Sequence, residues 1–146
     1  MTPSRYEGAA ELAEDARRLL AEIEREIPGA ATVTADCRPP LDVIETASAL
    51  EVVVDVPGVP AESLRVVVRR STLLIVGAKL AAPVDRLTRF HLAERSYGRF
   101  ARAVRLTGAF DAARAHAVTT GGELRVVLPR LEERRGGALT IPVTRA

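Results

Sequence analysis

The side chains in this chain that catalysis or metal binding would draw on are few: His91, His116, Cys37 and a scatter of carboxylates. A thiol nucleophile needs a base within hydrogen-bond reach. Cys37 with His91 is the dyad that the inventory allows, but Cys37 falls in a linker and nothing in the sequence draws the two together. Neither H-E-x-x-H, G-x-S-x-G nor a phosphate-binding loop occurs. A single cysteine gives no internal disulfide and no thiolate cluster for zinc. The acidic residues are dispersed or helical and form no metal constellation. The expectation is a protein with no catalytic residues, no metal and no cofactor.

Composition narrows the class further. The chain has 146 residues, 47% of them hydrophobic, which fits one domain plus tails. Its net charge of +2 mixes both signs, unlike a polyanion-binding surface. Phe90, Tyr97, Phe100 and Phe110 are too few and too dispersed to form a stacking platform for nucleic acid. No apolar run approaches the roughly 18 residues of a membrane span. The start, "MTPSRYEGAAELAED", has no apolar core after a basic leader, unlike a signal peptide. These features lead to the expectation of a soluble cytoplasmic protein.

The elements fall into three zones. Over residues 4–27, Ser4 and Glu7 fit a capping box, and Ala9, Leu12, Ala16, Leu19, Ile23 and Ile27 share one helical face. Pro28-Gly29 ends the helix. An isolated amphipathic helix is marginal in water. Its face therefore packs on its own domain, pairs with other subunits or covers a binding surface. Residues 30–40 read as a linker ending in Pro39-Pro40.

Residues 41–129 read as strands. "LEVVVDV" puts Leu50, Val52, Val54 and Val56 on one face, and "LRVVVRR" does the same for Leu64, Val66 and Val68. "TLLIVG" is a short buried run. "FARAVRL" alternates, and "ELRVVLPR" directs Leu124, Val126 and Leu128 inward. Turn signals fall at Pro57-Gly58, Ser71-Thr72, Gly108 and Gly121-Gly122. The pattern predicts an all-β fold, an antiparallel β-sandwich. Residues 78–98 form one long interruption, with room for a short strand around Leu87–Phe90.

Two features lack a home in that sandwich. Arg102 shares the alternation face of Phe100, Val104 and Leu106, where a hydrophobe is expected. It either pairs with an acid at an interface, the reading preferred here, or snorkels to water at a sheet edge. The ending "GGALTIPVTRA" keeps Leu139, Ile141 and Val143 behind a glycine hinge. That segment folds back onto this chain or docks on another one.

Together these stretches resemble the small heat-shock proteins of bacterial and plant type, with their alpha-crystallin domain. The carriers are "LDVIETASALEVVVDVPGVPAESLRVVV", "LLIVGAK", "RSYGRFARAVRL", "GGELRVVLPR" and the terminal "IPV", in the family's order over residues 39–143. The resemblance implies an immunoglobulin-like sandwich that forms a homodimer and then a larger oligomer. It divides the chain into an arm and linker (1–38), the sandwich (39–130) and an extension (131–146). It implies a strand-swapping loop over 79–92, so that Leu87, Phe90 and Arg102 belong to a dimer interface. It also implies that Ile141, Pro142 and Val143 anchor in a neighbouring dimer's groove between 64–68 and 115–119, lined by Leu64, Val66, Val68 and Val118.

The expected function is ATP-independent holding of partly unfolded client proteins, with the helix face Leu12, Leu19, Ile23 and Ile27 as client surface. A monomeric sandwich adaptor that binds one specific partner is the alternative. It would have no need of the terminal "IPV".

Overall fold

The computed structural model describes residues 5–27, 37–131 and 138–146. Ser4, Pro28-Gly29 and the Gly136-Gly137 hinge lie outside the described residues. Alternating β-branched residues produce the strands β1 (Leu41–Glu45), β2 (Ala49–Asp55), β3 (Leu64–Arg69), β4 (Thr72–Lys79), β5 (Gly98–Arg105), β6 (His116–Thr120) and β7 (Glu123–Pro129). Two short terminal strands follow, β8 (Ala138–Ile141) and β9 (Val143–Arg145). One sheet has the order β1-β2-β7-β6-β9 and the other β5-β4-β3-β8. Every pairing is antiparallel except that of β6 with β9.

The period of two sorts each strand into an inner and an outer row. The inner rows meet between the sheets. Val52, Val54, Val66, Leu73, Ile75, Leu124, Val126 and Leu128 are fully buried there, as the sequence pattern predicts. Gly77 has a specific packing reason. It pairs with Phe100 across β4 and β5, and the Phe100 ring lies where a Cβ on Gly77 would stand. The turn between β3 and β4 is Arg70-Ser71, one residue earlier than the sequence signal, and Arg70 takes a left-handed conformation with φ 55°.

The helix α1 (Arg5–Glu26) lies on the outer face of the β5-β4-β3-β8 sheet. Its apolar stripe makes a second core. Leu19 and Ile23 are buried with Val67 of β3 and with Leu74, Val76 and Ala78 of β4. "TLLIVG" is therefore buried on both faces: Leu73 and Ile75 inside the sandwich, Leu74 and Val76 under the helix.

Residues 81–96 stay open. Val84, Leu87, Phe90 and Leu92 are exposed, Leu87 by 91%. The Asp85 carboxylate accepts from the Leu87 backbone N–H at 2.8 Å and from the Thr88 hydroxyl at 3.1 Å. Leu87 sits in that turn, and within one chain no strand forms around Leu87–Phe90.

Candidate functional site: two covered apolar surfaces

The sandwich has an open side between β3 and β6, which edge different sheets apart from the terminal strands. The tail closes it. β8 adds to β3 with Val66 opposite Ile141 and Val68 opposite Leu139. At Pro142 the chain crosses to the other sheet. There β9 adds to β6 with Ala117 opposite Val143 and Val118 opposite Thr144. A proline suits the crossing because it has no N–H to leave unpaired and a fixed φ.

Ile141 is 2% exposed and joins the sandwich core, and Val143 packs on its margin. Further bonds run from the Ala146 N–H to the Thr119 carbonyl at 3.2 Å and from Arg145 to Glu62 at 3.5 Å. The segment thus takes the first of its two options, folding back onto its own chain.

The groove-wall residues Leu64, Val66 and Val68 are buried on the β3 side. On the β6 side the buried residue is Ala117, while Val118 is half-buried and faces the other way along the strand's alternation. A small side chain at Ala117 leaves room for Val143. The sequence signal for this was the strand register, since a shift of one residue exchanges the two faces.

The second surface lies under α1. The helix residues Leu19 and Ile23 are buried, and Leu12 and Ile27 pack partly against them. All four candidate client-binding residues thus lie in the contact with this chain's own sheet. Ion pairs frame it. Arg69 donates to both oxygens of Asp15, at 2.7 and 3.1 Å, and Asp15 is only 4% exposed. The bonded carboxylate raises the Arg69 pKa above its ordinary value. Arg65 reaches Glu26 at 2.6 Å and Glu22 at 3.6 Å, Arg70 reaches Glu11 at 3.8 Å, and Arg99 reaches Glu24 at 3.3 Å.

Arg102 is half-buried on edge strand β5, opposite Ile75. Its guanidinium donates to the Pro39 carbonyl at 2.6 Å. Among the described residues it has no carboxylate partner, and Asp85 is engaged in its own turn. Leu87 and Phe90 stand in the exposed loop.

The catalytic inventory does not converge. Among the described residues no three His, Cys, Asp or Glu side chains group to hold a metal. The Cys37 thiol lies 3.5 Å from the Gly98 carbonyl, and His91 and His116 are exposed. No described helix is long and apolar enough to cross a membrane.

A sandwich whose edge groove is filled by an I-P-V segment that crosses from one sheet to the other is the scaffold expected of an alpha-crystallin domain. Residues 42–144 match the Hsp20/alpha crystallin family, and the chain belongs to that family. Among its relatives, an 18.9 kDa heat shock protein of Oryza sativa is 36% identical over 105 residues, 71% of this chain and 59% of that protein. Small heat shock protein C4 of Rickettsia felis is 26% identical over 70% of this chain and 63% of its own length. The match thus spans about three fifths of those relatives.

Heat shock protein 16.0 of Schizosaccharomyces pombe superposes with a TM-score of 0.64 at 28% identity, covering 70% of this chain and 94% of that one. The hspA structure from Xanthomonas axonopodis gives 0.61 at 26% identity, covering 68% and 100%.

Proposed function

We propose that the protein is an ATP-independent holdase chaperone that binds partly unfolded proteins and keeps them from aggregating. The observation that carries this reading is that the apolar groove at the sandwich edge and the apolar outer face of the β5-β4-β3-β8 sheet are each covered by a segment from one end of the chain. The tail covers one with Ile141 and Val143, and α1 covers the other with Leu19 and Ile23. Either segment can leave without unmaking the sandwich, and each departure uncovers apolar surface that matches what unfolding proteins expose.

In this reading the protein works in the cytoplasm as a dynamic oligomer of dimers. Exposed Leu87 and Phe90 and edge residue Arg102 meet a partner subunit, and the "IPV" anchor exchanges between its own groove and a neighbour's. One tail binds weakly, and several on one assembly hold through effective concentration. The arm and linker (1–38), sandwich (39–130) and extension (131–146) are its working parts.

The test is light scattering of several unrelated clients that aggregate on heating or reduction, without ATP. Suppression at equal subunit ratio or below is expected. Failure with all of them overturns the proposal. The alternative, a monomeric adaptor, draws support from the tail's fit in its own groove, which satisfies the sandwich edge without a second subunit. Native mass separates the two readings: an adaptor stays at 15.7 kDa.

A further inference from the structure

The outer face under α1 is patterned by charge as well as by apolarity. Along β3 the outward row reads Arg65, Val67, Arg69, so two arginines flank a buried valine. β4 adds Leu74, Val76 and Ala78, and Arg99 of β5 stands opposite Ala78 on the far side. The floor is apolar and both margins are cationic.

The helix answers this pattern with acids. Glu11, Asp15, Glu22 and Glu26 meet the Arg65–Arg70 margin, and Glu24 meets Arg99. The acids from Asp15 to Glu26 span about 16 Å at helical rise. Arg69 to Arg65 span about 13 Å along a strand, and the long arginine and glutamate side chains close the remaining difference. Helix and strand run in opposite directions, with Asp15 at Arg69 and Glu26 at Arg65.

We propose that this arginine-framed face is a receptor for amphipathic client helices whose apolar stripe is flanked by acidic residues, which displace α1 and take its place. This names a client class for the chaperone reading and rests on it. The own helix holds the face by being tethered to it. A client helix wins when α1 is loosened or when many client segments crowd the assembly. A helix with basic flanks meets Arg65, Arg69 and Arg99 and is rejected.

The experiment uses the full-length chain and two labelled designed peptides of α1's length. One carries a leucine stripe flanked by glutamates, and its twin has lysines in their place. Asp15→Arg sets a cation against Arg69 and loosens the own helix. Glu22→Arg with Glu26→Arg, at a half-buried and an exposed position, does so without altering a buried site. Hydrogen exchange shows α1 released and β2 and β7 still protected.

Fluorescence anisotropy is expected to show the glutamate peptide binding the loosened variants about tenfold more tightly than wild type, and about tenfold more tightly than the lysine twin. Adding Arg69→Glu to the Glu22→Arg, Glu26→Arg variant, where it faces Asp15 as a like charge, removes that preference. Equal binding of both peptides, or no peptide binding to a variant whose helix is released, overturns the receptor. Peptide binding with this preference, in a protein that protects no aggregating client, keeps the receptor and overturns the chaperone reading.

Discussion

The groove and the outer face are both apolar, and both are covered from within the chain, yet they are sealed by different physics. The tail enters as backbone. β8 and β9 extend two sheets by ladder hydrogen bonds, and one side chain, Ile141, fills the interior. The helix satisfies its own backbone, so it adheres through side chains alone: a leucine and isoleucine stripe and a frame of ion pairs. A strand-added segment is specific in register and tolerant in outward side chains. A docked helix is specific in charge and stripe, and it is sensitive to salt. One chain thereby holds two covers that respond to different perturbations.

The largest expected break falls on the groove. Ile141→Gly with Val143→Gly removes one fully buried and one partly buried side chain, about 3–4 kcal/mol of apolar contact. It also adds backbone freedom to the unfolded tail. The amides of β8 and β9, and those of β3 and β6 that face them, should lose hydrogen-exchange protection while α1 keeps its own. Raising salt to about 1 M, where the screening length falls to about 3 Å, should not deepen the effect. Unchanged protection along β3 and β6 would show that the ladder holds without its anchor.

The next break falls on the helix. Arg69→Ala leaves the carboxylate of Asp15 buried with Arg18 at 3.6 Å as its remaining cation. A fully buried pair broken on one side costs about 3–5 kcal/mol. The Arg69 side chain is 27% exposed, so water recovers part of that and about 1–3 kcal/mol is expected. Protection of α1 amides should fall, and that of β8 should not. Here salt does matter: in wild type, high ionic strength should move α1 in the same direction by a smaller amount. If salt loosens tail and helix equally, the contrast between the two seals fails.

The two regions also differ in how far the sequence discloses them. The sandwich and the helix are legible because periods of 2 and 3.6 are local signals, and Leu124-x-Val126-x-Leu128 or Leu19-x-x-x-Ile23 carries them unaided. The terminal "IPV" is legible as a segment that must bury itself, but its partner is a matter of tertiary geometry. The second core was half-legible. "VVV" and "TLLIV" run apolar through both parities, which a one-sided sheet would not do. Val67, Leu74 and Val76 needed a cover that a one-face reading left out.

The charge frame was not legible at all. The pattern of "LRVVVRR" marks only the inward row Leu64, Val66 and Val68, and the acids that meet Arg65 and Arg69 lie far away in sequence on a helix whose placement no local rule fixes. Ala117 escaped for the opposite reason: it is small, and its importance lies in the space it leaves.

The smallest expected effect tests whether the tail's crossing is itself tuned. Pro142 is exposed and stands between β8 in one sheet and β9 in the other. It makes no ladder bond, so replacing it removes no contact of note. Its contribution lies in the detached tail, where the ring restricts the states the segment samples before it docks. Pro142→Ala should therefore weaken tail docking by about 0.4–1 kcal/mol, and the change should sit mainly in the rate of re-docking. β3 amides opposite Ile141 would exchange about two- to fivefold faster, with the helix untouched and no dependence on salt. An effect as large as that of the double glycine variant would mean that Pro142 packs as an anchor, and the tail would then be held by three side chains rather than by a ladder with two.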